Sequence, residues 1–143
     1  MSAYADTSFL VSLYTLDANS APASAYMQHA RLPLRITPLG ELELLNALQL
    51  RLFRRELSVA EVNAAADLFR VDLQAGVFVL KSLSIGMFER GKRISRARTA
   101  SLGTRTLDVL HVASALVLRA NTLCTFDHHQ KALAKAEGLK TPV

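Results

Sequence analysis

Short apolar runs alternate along this chain with longer stretches in which apolar residues recur every three or four positions. A compact apolar run bounded by polar residues is typical of a buried strand, whereas the longer spacing is typical of a helix packed on one face. The short runs predict four strands and a short last one, at 3–5, 34–37, 77–80, 123–126 and 140–143.

The amphipathic stretches between these runs predict helices. Thr7 or Ser8 is expected to cap the first of them, which directs Phe9, Leu10, Leu13 and Leu16 toward the core. Ser58 and Glu61 have the spacing of a capping box, and Thr106 is expected to cap a later helix. The predicted helices span 7–16, 23–31, 38–55, 58–73, 84–102, 107–120 and 128–137.

Strands that alternate with helices predict an α/β fold. We expect a central, mostly parallel sheet of about four or five strands between helices. No linker, repeat or low-complexity segment interrupts the 143 residues, so residues 1–143 are expected to form a single domain.

Composition narrows the class of protein. Half of the residues are hydrophobic, which excludes a disordered chain and supplies a core. The longest nearly uncharged run, 109–118, is too short to span a bilayer, and the N-terminus lacks a signal-peptide pattern. We therefore expect a cytoplasmic protein without a membrane segment. The lone Cys124 excludes an internal disulfide and is expected to be a buried thiol.

The net charge of +5 comes from one segment between Glu89 and Arg105, which we call the basic segment. It carries six basic residues against one acid, whereas the rest of the chain has 11 of each. Such a field suits a polyanion such as nucleic acid, although a solvated helix face or a patch for an acidic protein would have the same pattern. The candidates for RNA binding are Arg90, Lys92, Arg93, Arg96, Arg98 and Arg105.

Four acids lie at predicted junctions between strands and helices. Asp6 ends the first strand, Glu43 (or Glu41) lies in the first turns of the third helix, Asp108 begins the sixth, and Asp127 follows the fourth strand. Each alone could be a residue stabilised by the helix dipole. Together at one sheet edge they would repel one another, by roughly 4 kcal/mol for a pair about 4 Å apart.

A hard cation would relieve this repulsion. Carboxylate oxygens suit Mg²⁺ or Mn²⁺ better than zinc. Such an ion can lower the pKa of a bound water and orient a phosphodiester. An acidic pocket beside a basic segment therefore fits metal-assisted phosphodiester hydrolysis.

Four blocks of sequence surround these acids. They are Ala-Asp-Thr-Ser-Phe-Leu from Ala5, Thr-Pro from Thr37 with Glu-Leu-Leu-Asn-Ala-Leu from Glu43, Thr-Leu-Asp-Val-Leu-His-Val-Ala-Ser-Ala from Thr106, and Thr-Phe-Asp from Thr125. In this order they resemble the signature blocks of PIN-domain proteins, above all the VapC-type ribonuclease toxins of bacterial toxin–antitoxin pairs. The resemblance implies a parallel sheet between helices, RNA cleavage that depends on Mg²⁺ or Mn²⁺, inhibition by a cognate antitoxin, and a homodimer.

The resemblance also implies roles for individual residues. Ser8 corresponds to a hydroxyl that supports the first acid or its metal water, and Thr125 corresponds to another supporting position. Glu43 is preferred over Glu41 because an apolar-rich run follows it, and Asn46 could hydrogen-bond a carboxylate or a phosphate. The residues that match the family's acidic quartet, as metal ligands and catalytic groups, are Asp6, Glu43, Asp108 and Asp127.

The histidines are not expected to be central to the site. His111 is expected to bond within the helix packing rather than to touch the site. His128 and His129 are expected to be solvated, with one able to contact RNA.

Three other functions remain as alternatives. A DNA nuclease would use the same acids, and a PIN-like binding module would hold nucleic acid or a partner without cleaving it. A receiver-type signalling domain is disfavoured because Asp6 has no acidic neighbour.

Overall fold

A computed structural model describes residues 2–143, and within them the strands form one parallel sheet. Its four strands lie in the order β3-β2-β1-β4, and every neighbouring pair is parallel. The expected α/β class is therefore confirmed. The strands are β1 (Ala3–Ala5), β2 (Leu34–Ile36), β3 (Phe78–Leu80) and β4 (Thr122–Cys124).

Helices cover both faces of this sheet. Between α5 and α6 the chain continues through a π-helical turn, Ser95–Thr99, and a short α-helical turn, Ala100–Leu102. Among the described residues no helix is both long and apolar enough to cross a bilayer. The helices are α1 (Thr7–Tyr14), α2 (Ser20–His29), α3 (Pro38–Phe53), α4 (Val59–Gln74), α5 (Ile85–Ile94), α6 (Thr106–Val117) and α7 (His128–Ala136).

Successive side chains of the central strand β1 point to opposite faces of the sheet, so the core consists of two layers. Ala3 and Ala5 belong to the layer packed by α1, α3 and α4, which includes Phe9 and Leu44. Tyr4 belongs to the opposite layer, under α6 and α7. Both faces of β1 are buried, which explains why its run is continuously apolar.

The strand order brings the carboxyl ends of β1, β2 and β4 together. After β1 the chain pairs to one side with β2 and later to the other side with β4, so the connections diverge at the end of β1. Ligands of open α/β sheets bind at such a switch point. Asp6 lies there, and its backbone N–H donates to the Cys124 carbonyl at 3.1 Å.

Several element ends differ from the sequence predictions. Asp6, and not Thr7 or Ser8, is the N-cap of α1. That helix ends at Tyr14, which leaves Leu16 94% exposed rather than in the core. Arg105 occupies the N-cap position of α6, because Thr106 is already helical. The last predicted strand is reduced to one isolated bridge, between Lys140 and Thr122.

Two local predictions are confirmed. Ser58 and Glu61 exchange the two hydrogen bonds of a capping box, each at 3.1 Å. Cys124 is fully buried, and burial raises the pKa of its thiol to about 12.

Candidate functional site

Asp6 is a fully buried carboxylate at the start of α1. Its Oδ1 accepts the Phe9 backbone N–H at 2.9 Å and the Ser8 hydroxyl at 2.8 Å, while its Oδ2 accepts the Thr125 hydroxyl at 2.7 Å. Burial raises the pKa of Asp6, and these hydrogen bonds oppose that shift without cancelling it. The carboxylate is thus held in one orientation.

Ser8 and Thr125 connect the first acid to the segment that carries the last one. The Ser8 hydroxyl accepts the Phe126 backbone N–H at 2.9 Å. The Thr125 hydroxyl accepts the Asp127 N–H at 3.1 Å. Both hydroxyls therefore contact Asp6, as the sequence predicts, and also fix the chain beyond β4.

Glu43 approaches the same sheet edge from α3. Its Oε1 accepts the Thr7 hydroxyl at 2.9 Å and lies 2.6 Å from Nε2 of His111. Burial pushes the pKa of Glu43 upward, but the hydrogen bonds from His111 and Thr7 and the charge of His111 outweigh it, so the pKa is lowered. Glu41 does not line the cleft described below.

His111 contacts the site, whereas the sequence analysis placed it in the helix packing. Its ring is 1% exposed, and its Nδ1 lies 2.8 Å from the Tyr4 hydroxyl. Since the Glu43 carboxylate only accepts, a neutral His111 carries its proton on Nε2, and Tyr4 donates to Nδ1. The spacing of three residues from Asp108 pointed to His111, but nothing in the apolar run around Tyr4 pointed to that hydroxyl.

Asp108 and Asp127 are joined by one guanidinium. Oδ2 of Asp108 accepts the Arg105 backbone N–H at 3.0 Å and Nε–H at 3.2 Å. Oδ2 of Asp127 accepts Nη2–H of the same Arg105 at 3.1 Å, while its Oδ1 caps α7 by accepting the Gln130 N–H at 3.0 Å. Bonding to Asp108, and then the charge of Asp127, raises the pKa of Arg105.

All four predicted acids line one depression of about 560 Å³, which we call the acidic cleft. They reach it from the ends of β1 and β4 and from the first turns of α3 and α6. The lining residues are Asp6, Thr7, Ser8, Glu43, Arg105, Thr106, Leu107, Asp108, Asp127 and Gln130.

Asn46 lies elsewhere, contrary to expectation. It is exposed and lines a separate cavity of about 350 Å³ between α3 and α4, together with Leu42 and Val62. Three residues along an α-helix add about 300° of rotation, which leaves Asn46 about 60° from the direction of Glu43, on the side of α3 that faces α4.

The basic residues are also dispersed. Of the six candidates, only Arg105 lines the acidic cleft. Arg98 bonds to Glu137 at 3.0 Å, and Lys92 to Glu89 at 2.7 Å. Arg93 and Arg96 are exposed and Arg90 is partly buried; His128 and His129 are exposed at the start of α7.

The donor chemistry of the cleft fits a hard divalent cation. Within the described residues, the hydrogen bonds of Glu43 all end on Oε1 and those of Asp108 on Oδ2, which leaves one oxygen of each free. As these side chains are arranged here, no three His, Cys, Asp or Glu residues in 2–143 are close enough to hold one ion. The carboxylates would therefore have to draw together around a cation.

Comparison with known proteins agrees with this architecture. The PIN domain family model matches residues 3–136. Among solved structures, the chain is similar to VapC20 of Mycobacterium tuberculosis, a toxin that cleaves the sarcin–ricin loop, with a TM-score of 0.74 and 16% identity over 98% of both chains. The curated protein sequences give no match. Because the family model spans nearly the whole chain, this protein belongs to the PIN domain family.

Proposed function

We propose that this protein is a metal-dependent endoribonuclease, the toxin of a toxin–antitoxin pair. The observation that carries the proposal is the convergence of Asp6, Glu43, Asp108 and Asp127 on one cleft of a PIN domain. These acids come from four separate segments, and helix capping alone, which Asp6 and Asp127 provide, does not require all four to share one cleft and repel one another.

In this proposal Asp6, Glu43 and Asp108 hold Mg²⁺ or Mn²⁺, and Asp127 completes the pocket directly or through water. The ion would supply a Lewis acid that activates water and neutralises charge on the leaving oxygen. Ser8 and Thr125 keep Asp6 oriented, and Thr7 and His111 do the same for Glu43.

The serine hydroxyl beside Asp6, that of Ser8, is not free for covalent chemistry. Ser8 donates to Asp6 and accepts from the Phe126 N–H, so its proton and one lone pair are already engaged. Hydrolysis by water therefore fits the site better than a covalent serine intermediate.

Two observations support RNA as the substrate: the exposed basic side chains, and the similarity in fold to a toxin whose target is known. The exposed Arg93 and Arg96 provide phosphate contacts on the basic segment, and Arg105 lies at the cleft itself. The similar structure belongs to a toxin that cleaves the sarcin–ricin loop, so that loop is the first substrate to test. The same basic side chains could instead meet an acidic antitoxin segment.

A protein partner is supported by apolar side chains that the fold leaves exposed on α3 and α4. Phe53 is 83% exposed, and Leu42, Leu68 and Val71 are all about half exposed or more. A cognate antitoxin would cover such a surface, since exposed apolar patches mark interaction sites. The homodimer and the cytoplasmic location stay predictions.

The test is cleavage of end-labelled RNA by the purified, metal-stripped chain. We expect cleavage of a structured or single-stranded RNA after addition of Mn²⁺ or Mg²⁺, none with chelator, and loss of at least 100-fold in Asp6→Asn. Asp67→Asn, an exposed acid on α4, is the matched control.

Other outcomes would contradict the proposal. Cleavage of DNA but not RNA would indicate the DNA nuclease. Binding of RNA without cleavage at any metal concentration would indicate a binding module. Undiminished cleavage by Asp6→Asn would exclude this acidic cleft as the site.

A further inference from the structure

Arg105 is the one basic side chain among the residues that line the acidic cleft, as the structure describes residues 2–143. Its guanidinium lies between two carboxylates that the proposed function assigns to a cation. Nε–H donates to Asp108 at 3.2 Å and Nη2–H to Asp127 at 3.1 Å. A positive charge thus occupies the edge of the cleft between the two acids.

These two bonds are not needed to hold the acids in place. Asp108 also accepts the Arg105 backbone N–H, and Asp127 caps α7 through the Gln130 N–H. Both of those bonds remain when the guanidinium leaves. The side chain of Arg105 is 69% exposed, so little of its surface is covered and its movement into solvent costs little burial.

A divalent cation and this guanidinium would bind the same two carboxylates, those of Asp108 and Asp127. An ion bound by Asp108 and Asp127 would lie within a few ångströms of the present position of Arg105, and like charges that close repel even where solvent reaches them. Nε–H and Nη2–H also occupy Oδ2 of each acid, so an ion beside Arg105 has only Oδ1 of Asp108, which is free within residues 2–143, and Oδ1 of Asp127, which already accepts the Gln130 N–H. The two cations therefore compete for this edge.

We propose that Arg105 is a built-in competitor of the metal: it neutralises Asp108 and Asp127 in the metal-free protein and must be displaced for the ion to bind. This inference rests on the proposed function, because it assumes that the same acids bind a metal. The competition would set the metal concentration at which the site fills, and it makes Arg105 a rival of the ion rather than a ligand.

The experiment measures Mn²⁺ affinity directly, by electron paramagnetic resonance titration of the full chain without RNA. Arg105→Gln should bind Mn²⁺ more tightly, with a Kd lower by on the order of threefold to tenfold. Arg105→Met should do the same, and it serves as a second neutral variant in case one of them folds poorly. Arg105→Lys, which keeps the charge, should stay within about twofold of the wild type.

Thermal unfolding supplies a second readout. Without metal, Arg105→Gln should have a lower Tm than the wild type because Asp108 and Asp127 are left to repel each other. Saturating Mn²⁺ should then raise its Tm by more than it raises that of the wild type. Arg54→Gln removes the same charge from the exposed end of α3 and should change neither quantity.

The outcomes separate this inference from the function on which it rests. If the wild type binds Mn²⁺ but both Arg105→Gln and Arg105→Met bind it no more tightly, the competition is overturned and the metal site stands. If Arg54→Gln gains as much affinity for Mn²⁺ as Arg105→Gln does, the competition is also overturned, because the loss of net charge alone would explain the gain. Absence of Mn²⁺ binding by the wild type would overturn both proposals.

Discussion

The carboxylate of Asp6 is costly to the fold at neutral pH. A buried charge loses its hydration, and the hydroxyls of Ser8 and Thr125 and one backbone N–H return only part of that loss. The raised pKa of Asp6 records the remaining cost. Such a residue is expected where function outweighs stability.

Replacement of Asp6 by Asn should therefore stabilise the metal-free protein. Because the folded pKa of Asp6 lies above its unfolded value, the folded state binds the proton more tightly, and stability is lost as the pH rises through that window. Asp6→Asn should raise the free energy of unfolding by about 1–2 kcal/mol at pH 7 and by much less near pH 3. Urea denaturation in chelator at the two pH values measures both.

Asp67→Asn is the control for this change, since its carboxylate is exposed and its nearest basic group, in Arg70, is 3.9 Å away. It should leave the stability unchanged at either pH. A gain for Asp6→Asn that is equally large at pH 3 and pH 7 would mean that the charge of Asp6 is not the cause.

The acids and the two hydroxyls beside Asp6 could be predicted from the sequence, but the partners of the other acids could not. Asp6, Glu43 and Asp127 each follow a predicted strand at or near the start of a helix, and Asp108 stands at a helix start after the basic segment. The contact between His111 and Glu43 joins residues 68 positions apart, so local spacing does not encode it. The same holds for Arg105, whose bond to Asp127 depends on the packing of α6 beside α7.

Among the secondary-structure elements, the helix N-termini form much of the acidic cleft. Asp6 caps α1 and Asp127 caps α7, while Asp108 bonds back to the residue before α6. An N-cap side chain lies at the end of the preceding strand and points along the first turn, which is where the cleft opens. An acid of this kind can therefore cap its helix and line the cleft at the same time.

A helix cap outside the cleft gives a prediction for the scaffold. Ser58→Ala removes the side-chain half of the capping box of α4 and should lower the free energy of unfolding by about 1 kcal/mol in urea denaturation. Ser24→Ala, an exposed serine within α2, should be neutral or slightly stabilising because alanine favours helix. Equal effects of the two changes would contradict the capping role.

Across the whole molecule, the sequence pattern predicted the parallel sheet but misjudged its edge. Each buried strand has an apolar run that is visible by itself, whereas the tail after α7 makes only the bridge of Lys140 with Thr122. The number of backbone hydrogen bonds that a short tail makes at a sheet edge depends on which strand groups lie within its reach, and the local sequence pattern does not predict that. The prediction for Leu16 failed for a related reason. The helical spacing of apolar residues continues to Leu16, but α1 ends at Tyr14, so Leu16 lies outside the helix and is exposed.

The charge distribution predicts how RNA should bind. Arg93 and Arg96 are exposed on the basic segment, outside the ion pairs of the described residues. Their joint replacement by Ala in the Asp6→Asn background should weaken RNA binding and reduce the slope of log K against log salt by about 1.4, or about 0.7 for each lost phosphate contact with single-stranded RNA. Fluorescence anisotropy at several salt concentrations measures this slope.

Arg54→Ala with Arg70→Ala removes the same charge from α3 and α4 and should leave the slope nearly unchanged. Equal slopes for the two double variants would show that the basic segment has no special contact with RNA. In that case an acidic antitoxin segment would be the better partner for it.

The most direct test of the central claim is a double-mutant cycle on metal-dependent RNA cleavage under single-turnover conditions. If Asp6 and Asp108 serve one metal site, Asp6→Asn and Asp108→Asn should each abolish most of the rate, and the double variant should be no slower than the worse single variant. Rate losses that multiply, or a single variant that cleaves at the wild-type rate, would contradict one shared site in the acidic cleft.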